Sequence, residues 1–583
     1  MGKFNLLDEP WISVLIKESG MKKEVSMLEF FHNADSYQSF AGEMETQNFA
    51  VMRFLLAVVQ TVFSRFDYQG NVLPGILLDE RWCQTDPIDS DDMDAVDDYS
   101  DAAEECWDQL YSSGKFPDII FDYLEKWRDR FYLFDEEHPF FQVNEKEMAE
   151  IMANIPNKSQ PTTIYGKNLN RTISESENKI ALFSPIAAIG NAKRSKKDIM
   201  TAAELARWLL TFHGYAGLAD KVSLVNKEQK PSKGWLFDLG GLYLRGNTVF
   251  ETIMMNYMPV LPIEFEQFTG RIQKPCWESD GSTVIHRICS NRNIDNLAEL
   301  YTNWSRAVYI NPKSDLTVPV KINVVKIPEI DHSENSIEPM TIWRKNKTGP
   351  NKNHFSLKKH EAEQSLWRSF GIITIRNSIN KENKQPGIME QYPRLQRTAG
   401  SRWTDLVGVS MKDDGNATSW LPTDEITDSF QINDLLITDS NPDSWVIRIN
   451  DAVESTKDVV SNIFKRYLRG ICEIRNLKVS NPMDPIAAGF LSRETAQLYA
   501  IIDPEFKEWL SSIRPDDSKE KAIKSWYLQL KDIVLKRGKE LFENSTARDL
   551  TGVETERGIE NIATIYWQFV NNVNHALGKG GDS

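Results

Sequence analysis

Hydrophobic positions recur with two different spacings along this chain. Near the N-terminus Ile12, Val14 and Ile16 occupy every second position, which is the period of a half-buried strand. After Asn450 apolar residues recur every three or four positions, as in amphipathic helices. The pattern predicts an α+β fold, with a large mixed N-terminal domain over 1–448 and a C-terminal antiparallel bundle of about four helices over 449–583.

A hairpin is predicted further along the chain. Two short β-prone runs, Leu406–Met411 and Ala417–Leu421, flank the segment Lys412–Asn416. This segment contains Asp-Gly followed by Asn, and both Gly and Asn accept a positive φ at little cost. A projecting hairpin can read or separate a duplex, and a surface hairpin without a function would have the same sequence.

A capped helix is predicted over Ala202–His213. Thr201 and Glu204 have the spacing of a capping box, in which each side chain accepts a hydrogen bond from the other residue's backbone N–H. Gly214 then occupies the position of a helix-terminating glycine. A second glycine, Gly217, and then Lys221 follow within one short segment.

Charge is segregated along the sequence. The net charge is −16, yet residues 86–105 hold ten Asp or Glu without a Lys or Arg, while residues 341–360 hold six Lys or Arg without an acid. A basic loop can bind phosphates on an acidic protein, because screening limits the effect of distant charges to about 10 Å. A solvated surface would show the same charge run. For the acidic segment we expect poor order or a surface helix.

Several classes of protein are disfavoured. The five cysteines form no CxxC pair, which fits reduced thiols in a cytoplasmic protein, and we expect neither a signal peptide nor a membrane span. Cys276, His286 and Cys289 lack a fourth ligand, so no metal site is predicted. The sequence contains no P-loop, GxSxG, HExxH or dinucleotide-binding motif, so we expect no cofactor and no catalysis.

Two motifs carry a family resemblance. The chain opens with Asn-Leu-Leu-x-Glu-Pro-Trp-Ile over 5–12, and residues 131–142 read Phe-x-Leu-Phe-x₄-Pro-Phe-x-Gln. This pair resembles CasA, the large-subunit family of the type I-E CRISPR surveillance complex Cascade. The order of later elements is also similar, and the acidic segment 86–105 lies outside the resemblance.

The resemblance implies contacts to a short motif in double-stranded DNA and to the end of the guide RNA. In the family a hairpin wedge carries a glutamine, which the segment Lys412–Asn416 lacks. The implied DNA contacts are Gly214, Gly217 and Lys221 in a glycine loop, Arg344, Lys345 and Lys347 in a basic finger, and Met411, Lys412, Asp413, Asp414, Gly415 and Asn416 in the hairpin. The implied guide-RNA contacts, within the polar loop 157–178, are Lys167, Asn168, Asn170 and Arg171.

The resulting expectation is a non-catalytic subunit of an RNA-guided antiviral complex. It would recognise the protospacer-adjacent motif, start strand opening and help recruit a trans-acting helicase-nuclease, while guide-RNA pairing reads the sequence. Its expected partners are target DNA, guide RNA and the other Cascade subunits. The alternative is a hydrolase with an unrecognised site, in which the basic loops are only solvated surface.

Overall fold

The chain folds into two compact units of mixed helix and strand, which confirms the predicted α+β class. The first unit comprises 1–360, 380–400 and 406–428, and the second comprises 361–379, 401–405 and 429–583. The structure is a computed structural model. It describes residues 2–156, 160–170, 173, 198–227, 229–261, 270–290, 293–330, 337–349, 352–376, 382–416, 418–439, 441, 443–555 and 558–578.

In the described part of the first unit, more residues lie in helices than in strands. The helices are Met27–His32, Glu45–Phe63, Met93–Ser113, Asp118–Lys126, Glu145–Ala153, Ala202–Tyr215, Val249–Asn256, Gly281–Cys289, Leu297–Tyr301 and Gln391–Ala399. Short 3₁₀ turns lie at Ala34–Ser36, Arg128–Arg130, Gly166–Asn168, Trp235–Asp238, Cys276–Glu278 and Gly387–Glu390.

The helix Glu45–Phe63 lies at the centre of the first unit. By length and composition it could cross a membrane, but 94% of its apolar stretch is buried inside the fold, as in the core helix of a globular domain. Its one buried cation, Arg53, donates to both carboxylate oxygens of Glu338 at 2.8 and 2.7 Å. A buried charge needs such a partner, because desolvation of an unpaired ion is costly.

Short strands hold the outer layers of the first unit together. The two motifs of the family resemblance are neighbours, because Lys3–Asn5 pairs antiparallel with Tyr132–Phe134. The remaining sheets of this unit have three strands each and are, in spatial order, Lys22–Val25, Ile12–Ile16 and Tyr37–Phe40; Thr162–Ile164, Ile322–Lys326 and Arg306–Ile310; Phe355–Leu357, Trp343–Lys345 and Asn383–Lys384; and Pro422–Asn433, Trp403–Asp413 and Gly241–Arg245.

Residues 93–105 of the acidic segment lie in a surface helix, Met93–Ser113, the second of the two predicted alternatives, whereas residues 86–92 precede it without helix or strand. Asp92 caps its N-terminus by accepting from the backbone N–H of Ala95 at 3.2 Å. Val96, Tyr99 and Ala103 lie in a small apolar cluster together with residues of 73–88. The acids occupy the opposite, solvated face, so burial of one apolar stripe orders the segment despite its charge.

The second unit is mostly helical. Its helices are Phe370–Thr374, Asp434–Thr438, Trp445–Asp458, Lys465–Ile474, Pro485–Ser512, Lys519–Glu543, Ala547–Thr551 and Ile562–Gly578; a π-helical turn spans Val459–Phe464, a 3₁₀ turn spans Leu366–Ser369, and a strand pair joins Val553–Thr555 to Gly558–Glu560. The predicted boundary at 448/449 falls inside Trp445–Asp458. Segments from earlier in the chain also belong to this unit, since Trp367 stacks on Phe506 with ring centroids 4.1 Å apart.

Candidate nucleic-acid interface

The predicted glycine loop follows the capped helix Ala202–Tyr215. The capping box is confirmed, with Thr201 and Glu204 exchanging bonds of 2.8 and 3.1 Å. The prediction that Gly214 ends the helix is wrong, because the helix continues through Tyr215. Gly214 is instead buried against Leu236, and a Cβ at this position would lie 2.9 Å from the Leu236 Cδ1 atom.

The loop after the helix, residues 216–221, packs against the tip of the predicted hairpin. Leu218 N–H donates to the carbonyl oxygen of Ser419 at 2.6 Å. A Cβ on Gly217 would lie 2.5 Å from the carbonyl oxygen of Trp420, closer than any real contact. The glycine at 217 is therefore required by close approach of two backbones. We call residues 216–221 the glycine loop.

A buried ion pair holds the glycine loop from beneath. Arg306, fully buried on the strand Arg306–Ile310, donates to both carboxylate oxygens of Asp220 at 2.9 Å and also to the Gly217 carbonyl. Lys326 Nζ donates to the Leu218 carbonyl at 3.2 Å, and burial lowers the pKa of this amine. The loop thus has a fixed shape, and Lys221 lies exposed at its end.

The predicted hairpin is present, with longer strands than expected. They span Trp403–Asp413 and Pro422–Asn433, so the prediction of a strand over 417–421 is wrong for its described residues, which belong to the tip. Side-chain bonds shape the tip: Asp414 accepts from the backbone N–H groups of Asn416 and Leu421 at 3.0 and 3.1 Å. Trp420 has a φ of +43°, which breaks the extended conformation that a strand needs. We call residues 414–421 the tip.

The six predicted hairpin residues lie in different environments. Met411 is fully buried and belongs to the core beneath the hairpin. Asp413 pairs with Lys359 at 2.8 Å; burial raises the pKa of this carboxyl, and the bonds from Lys359 and from the Gly415 N–H outweigh it and lower the pKa. The exposed residues of the set are Lys412, Asp414, Gly415 and Asn416.

Two lysines beside the tip were not among the predicted contacts. Lys233 Nζ lies 4.7 Å from the ring centroid of Trp420, and Lys359 Nζ lies 4.6 Å from that of Phe237. A cation over an aromatic face is attracted by the ring quadrupole. Lys233 stands directly before Gly234-Trp235, but no sequence pattern indicates that its partner ring lies almost two hundred residues away.

The basic run forms a small sheet, which we call the basic finger. Trp343–Lys345 pairs antiparallel with Phe355–Leu357, and Asn346 and His354 close the turn with a bond of 2.9 Å. Arg344 is exposed and has no ion-pair partner among the residues that the structure describes. Lys345 is half-buried, and Lys347, 79% exposed, pairs with Glu382 at 3.2 Å.

The finger and the hairpin share one anchor. Thr341, before the finger, donates to the Gly240 carbonyl at 3.1 Å, and Ser410 of the hairpin donates to the Leu239 carbonyl at 2.9 Å. His360, after the finger, donates its backbone N–H to the Ser410 hydroxyl at 3.2 Å. A single backbone stretch, 239–241, therefore positions both predicted DNA-contacting elements.

The predicted guide-RNA residues divide into three groups. Asn170, 8% exposed and with a φ of +71°, donates to the Tyr215 carbonyl at 3.1 Å and so caps the helix that leads into the glycine loop. Asn168 accepts from the Tyr165 backbone at 3.1 Å, and the backbone N–H of Lys167 donates to Asp198 at 3.1 Å. Arg171 lies outside the described residues.

His213 and Cys276 are buried in the core of the first unit. His213 is fully enclosed beside Phe141 and Trp304, and burial lowers its pKa to about 3. Burial raises the pKa of the Cys276 thiol to about 12. Within the described ranges, Cys276, His286 and Cys289 belong to no group of three or more side chains placed to hold a metal ion.

Comparison with known proteins identifies the family. The sequence model of the CRISPR-associated protein Cse1 family matches residues 5–536. The chain belongs to the Cse1 (CasA) family. A curated CasA/Cse1 protein of Thermus thermophilus is 26% identical over 286 residues, which are 47% of this chain and 42% of that protein, so the match spans less than half of the relative's length.

Solved Cse1 structures share the fold over almost the whole length. Cse1 from Thermobifida fusca superposes with a TM-score of 0.69 at 18% identity, covering 99% of this chain and 98% of that one. Cse1 from Acidimicrobium ferrooxidans gives 0.70 at 18% identity, covering 100% and 99%. A chain of a CRISPR RNA-guided surveillance complex gives 0.64 at 16% identity, covering 98% and 99%.

Proposed function

We propose that this chain is the non-catalytic large subunit of an RNA-guided surveillance complex of the Cascade type. In that complex it recognises the short motif beside the target in double-stranded DNA and starts strand opening with the hairpin. The observation that carries the proposal is the direct backbone contact between the glycine loop and the hairpin tip at Gly217 and Trp420. Family membership and the likeness to a chain of a surveillance complex support it.

In this proposal the exposed cations contact DNA phosphates and the hairpin separates the strands. Arg344 on the basic finger and Lys221 at the end of the glycine loop are exposed cations that suit phosphate contacts in a groove. Minor-groove edges carry little sequence information, so several motif variants should be accepted. Lys412 at the end of its strand and the exposed tip residues Gly415 and Asn416 are the part of the hairpin that would separate the strands.

The second unit has a supporting part in the proposal. Its long helices form an antiparallel bundle that holds the displaced strand and the neighbouring subunits. Lys465, Arg466 and Arg469 provide cations on one helix of that bundle, as phosphate contacts require. Completed strand exchange then lets the complex recruit a helicase-nuclease that acts in trans.

Double-stranded DNA binding by the reconstituted complex, with and without this chain, tests the proposal. A library of motif variants should show selection only when the chain is present. Replacement of Lys412–Asn416 by a Gly-Ser turn should abolish strand opening. The double variant Lys412→Ala with Asn416→Ala keeps the Asp414 bonds that shape the tip, so it tests the two exposed side chains separately from that shape. Lys146→Ala, an exposed lysine on the helix Glu145–Ala153, is the matched control.

Two results would contradict the proposal. Selection of the same motifs without the chain would assign recognition to another subunit. DNA-dependent turnover by the isolated chain, lost when one histidine or acid is replaced, would favour the alternative of a hydrolase.

A further inference from the structure

Gly217 lies directly against the backbone of the hairpin tip. Its missing side chain leaves room for the carbonyl oxygens of Trp420 and Ser419, which would lie 2.5 and 3.1 Å from a Cβ. The same backbone stretch donates from Leu218 N–H to Ser419. An ordinary contact begins at 3.4 Å, so any side chain at 217 must push the tip away by nearly 1 Å.

The backbone of Trp420 is held by its surroundings and by one bond within the tip, from its N–H to the Asn416 carbonyl at 2.8 Å. A φ of +43° is strained for a bulky aromatic residue, and such conformations persist where neighbouring structure imposes them. Two neighbours do so here: the glycine loop at the Trp420 carbonyl, and Lys233 over the Trp420 ring at 4.7 Å. Lys233 also pairs with Asp238, which holds the amine in place.

The glycine loop is the rigid partner in this contact. Arg306 ties Asp220 and the Gly217 carbonyl to a buried strand, and Asn170 fixes the helix end before the loop. The exposed tip residues, in contrast, are held mainly by bonds among themselves through Asp414 and Asn416. A rigid loop therefore sets the place of an otherwise self-contained turn.

We infer that Gly217 and Trp420 are positioning residues that fix the hairpin tip against the glycine loop, so that motif recognition and strand separation occur in one geometry. This inference rests on the proposed function. It assigns the glycine at 217 to the loop–tip contact, which is a role separate from close approach to DNA.

The test compares two target duplexes with the reconstituted, guide-loaded complex. One is fully paired beside the motif, and the other carries a short mismatched bubble there, which removes the need for strand separation. Gly217→Ala should slow R-loop formation on the paired duplex by at least about tenfold, since a misplacement near 1 Å can cost a factor of about 100. On the bubble duplex the rate of R-loop formation by Gly217→Ala should stay within about twofold of the wild-type rate, because the strands are already separated there. The variant should also keep its motif preference.

Two further variants make the result specific. Trp420→Ala, which removes the ring beneath Lys233 but keeps the backbone, should show the same paired-only defect to a smaller degree. Gly489→Ala, where an added Cβ meets nothing within 4 Å, should match wild type on both duplexes. Thermal melting of each free chain checks that Gly217→Ala and Trp420→Ala are folded.

Each outcome separates the inference from the proposed function. An equal loss on paired and bubble duplexes in a folded Gly217→Ala chain would show that position 217 acts in DNA approach, which overturns the inference alone. Unchanged opening on both duplexes would also overturn it. Absence of motif dependence in the wild-type complex would instead overturn the proposed function.

Discussion

Gly538 lies inside the helix Lys519–Glu543 with its Cα against the ring of Phe569. A Cβ there would lie 2.2 Å from a ring carbon, and the ring is itself stacked on Tyr467 at 4.6 Å. Tyr467 also donates its hydroxyl to the Gly538 carbonyl at 3.2 Å. Helix propensity disfavours glycine here by about 1 kcal/mol relative to alanine, so packing must account for it.

At the residue scale, Gly538→Ala is expected to destabilise the protein. Overpacking against a fixed ring costs about 1–3 kcal/mol, which exceeds the gain in propensity. The matched change Gly489→Ala, exposed in the helix Pro485–Ser512, should be neutral or stabilise by up to about 1 kcal/mol. Urea unfolding of both variants measures the difference, and equal effects would show that the Phe569 ring moves aside freely.

At the element scale, the basic finger presents two cations in different states. Arg344 is exposed without an ion pair among the described residues, while Lys347 pairs with Glu382. Arg344→Ala should weaken DNA binding by the complex about equally across motif variants and lower the slope of log K against log salt by about 1. Lys347→Ala should change the slope less, because Glu382 already offsets its charge.

A salt titration of DNA affinity checks this prediction. Loss of motif preference in Arg344→Ala would assign a base contact to Arg344 in place of a phosphate contact. An equal change of slope in both variants would mean that Lys347 leaves Glu382 when DNA binds.

The short helix Ala547–Thr551 contains a buried, paired carboxylate. Its Asp549 is fully buried and accepts two bonds from Arg475, at 2.9 and 2.7 Å, which lower the pKa of the carboxyl to about 2. A folded-state pKa below the unfolded value stabilises the fold above about pH 4. This contribution declines as the pH falls from 4 towards 2.

The Asp549→Asn variant isolates this contribution. It should lower the free energy of unfolding by about 1–2 kcal/mol at pH 7, a range reduced for screening because Arg475 is one-third exposed. The difference in the free energy of unfolding between Asp549→Asn and wild type should narrow as the pH falls from 4 to 2. Urea unfolding at several pH values measures this difference. A gap that stays constant would assign the loss to packing or to the Thr546 cap and not to charge.

At the scale of the whole molecule, local patterns predicted more than long-range contacts. The capping box at Thr201 and the turn at Gly415 depend on residues a few positions apart, so the sequence contains their full cause. The helix continues past Gly214, which packs against Leu236, and the second hairpin strand begins only at Pro422, after Trp420 meets the glycine loop. Those partners lie beyond the range of any periodic pattern.

Contacts between residues distant in sequence also limited what could be predicted for the candidate interface. Sequence placed the glycine loop, the finger and the hairpin in order along the chain, largely through the family resemblance. It could not show that Met411 faces the core while Lys412 faces solvent, because the register of a hairpin depends on the sheet beneath it. Lys233 and Arg306 were missed for the related reason that their partners are distant in sequence.

The acidic helix Met93–Ser113 belongs to a chain of net charge −16, which must approach the polyanion DNA if the proposed function is correct. Its exposed acids Asp97, Asp98 and Asp101 have no ion pair within the part of the chain that the structure describes. An acidic average repels DNA at long range, and this repulsion should limit non-specific binding while leaving short-range contacts intact.

Neutralising Asp97, Asp98, Asp101 and Glu105 as Asn or Gln should therefore strengthen non-specific DNA binding at an ionic strength of about 10 mM, where the Debye length is about 30 Å. The gain should vanish near 150 mM, where the length is about 8 Å. If average charge is the cause, a control that neutralises four exposed acids of the second unit should show the same gain at low salt and the same loss of it at 150 mM. The four acids are Glu473, Glu508, Asp516 and Asp532. A gain that persists at 150 mM in the first variant alone would contradict the average-charge explanation and would mean that the acidic helix lies beside the bound DNA.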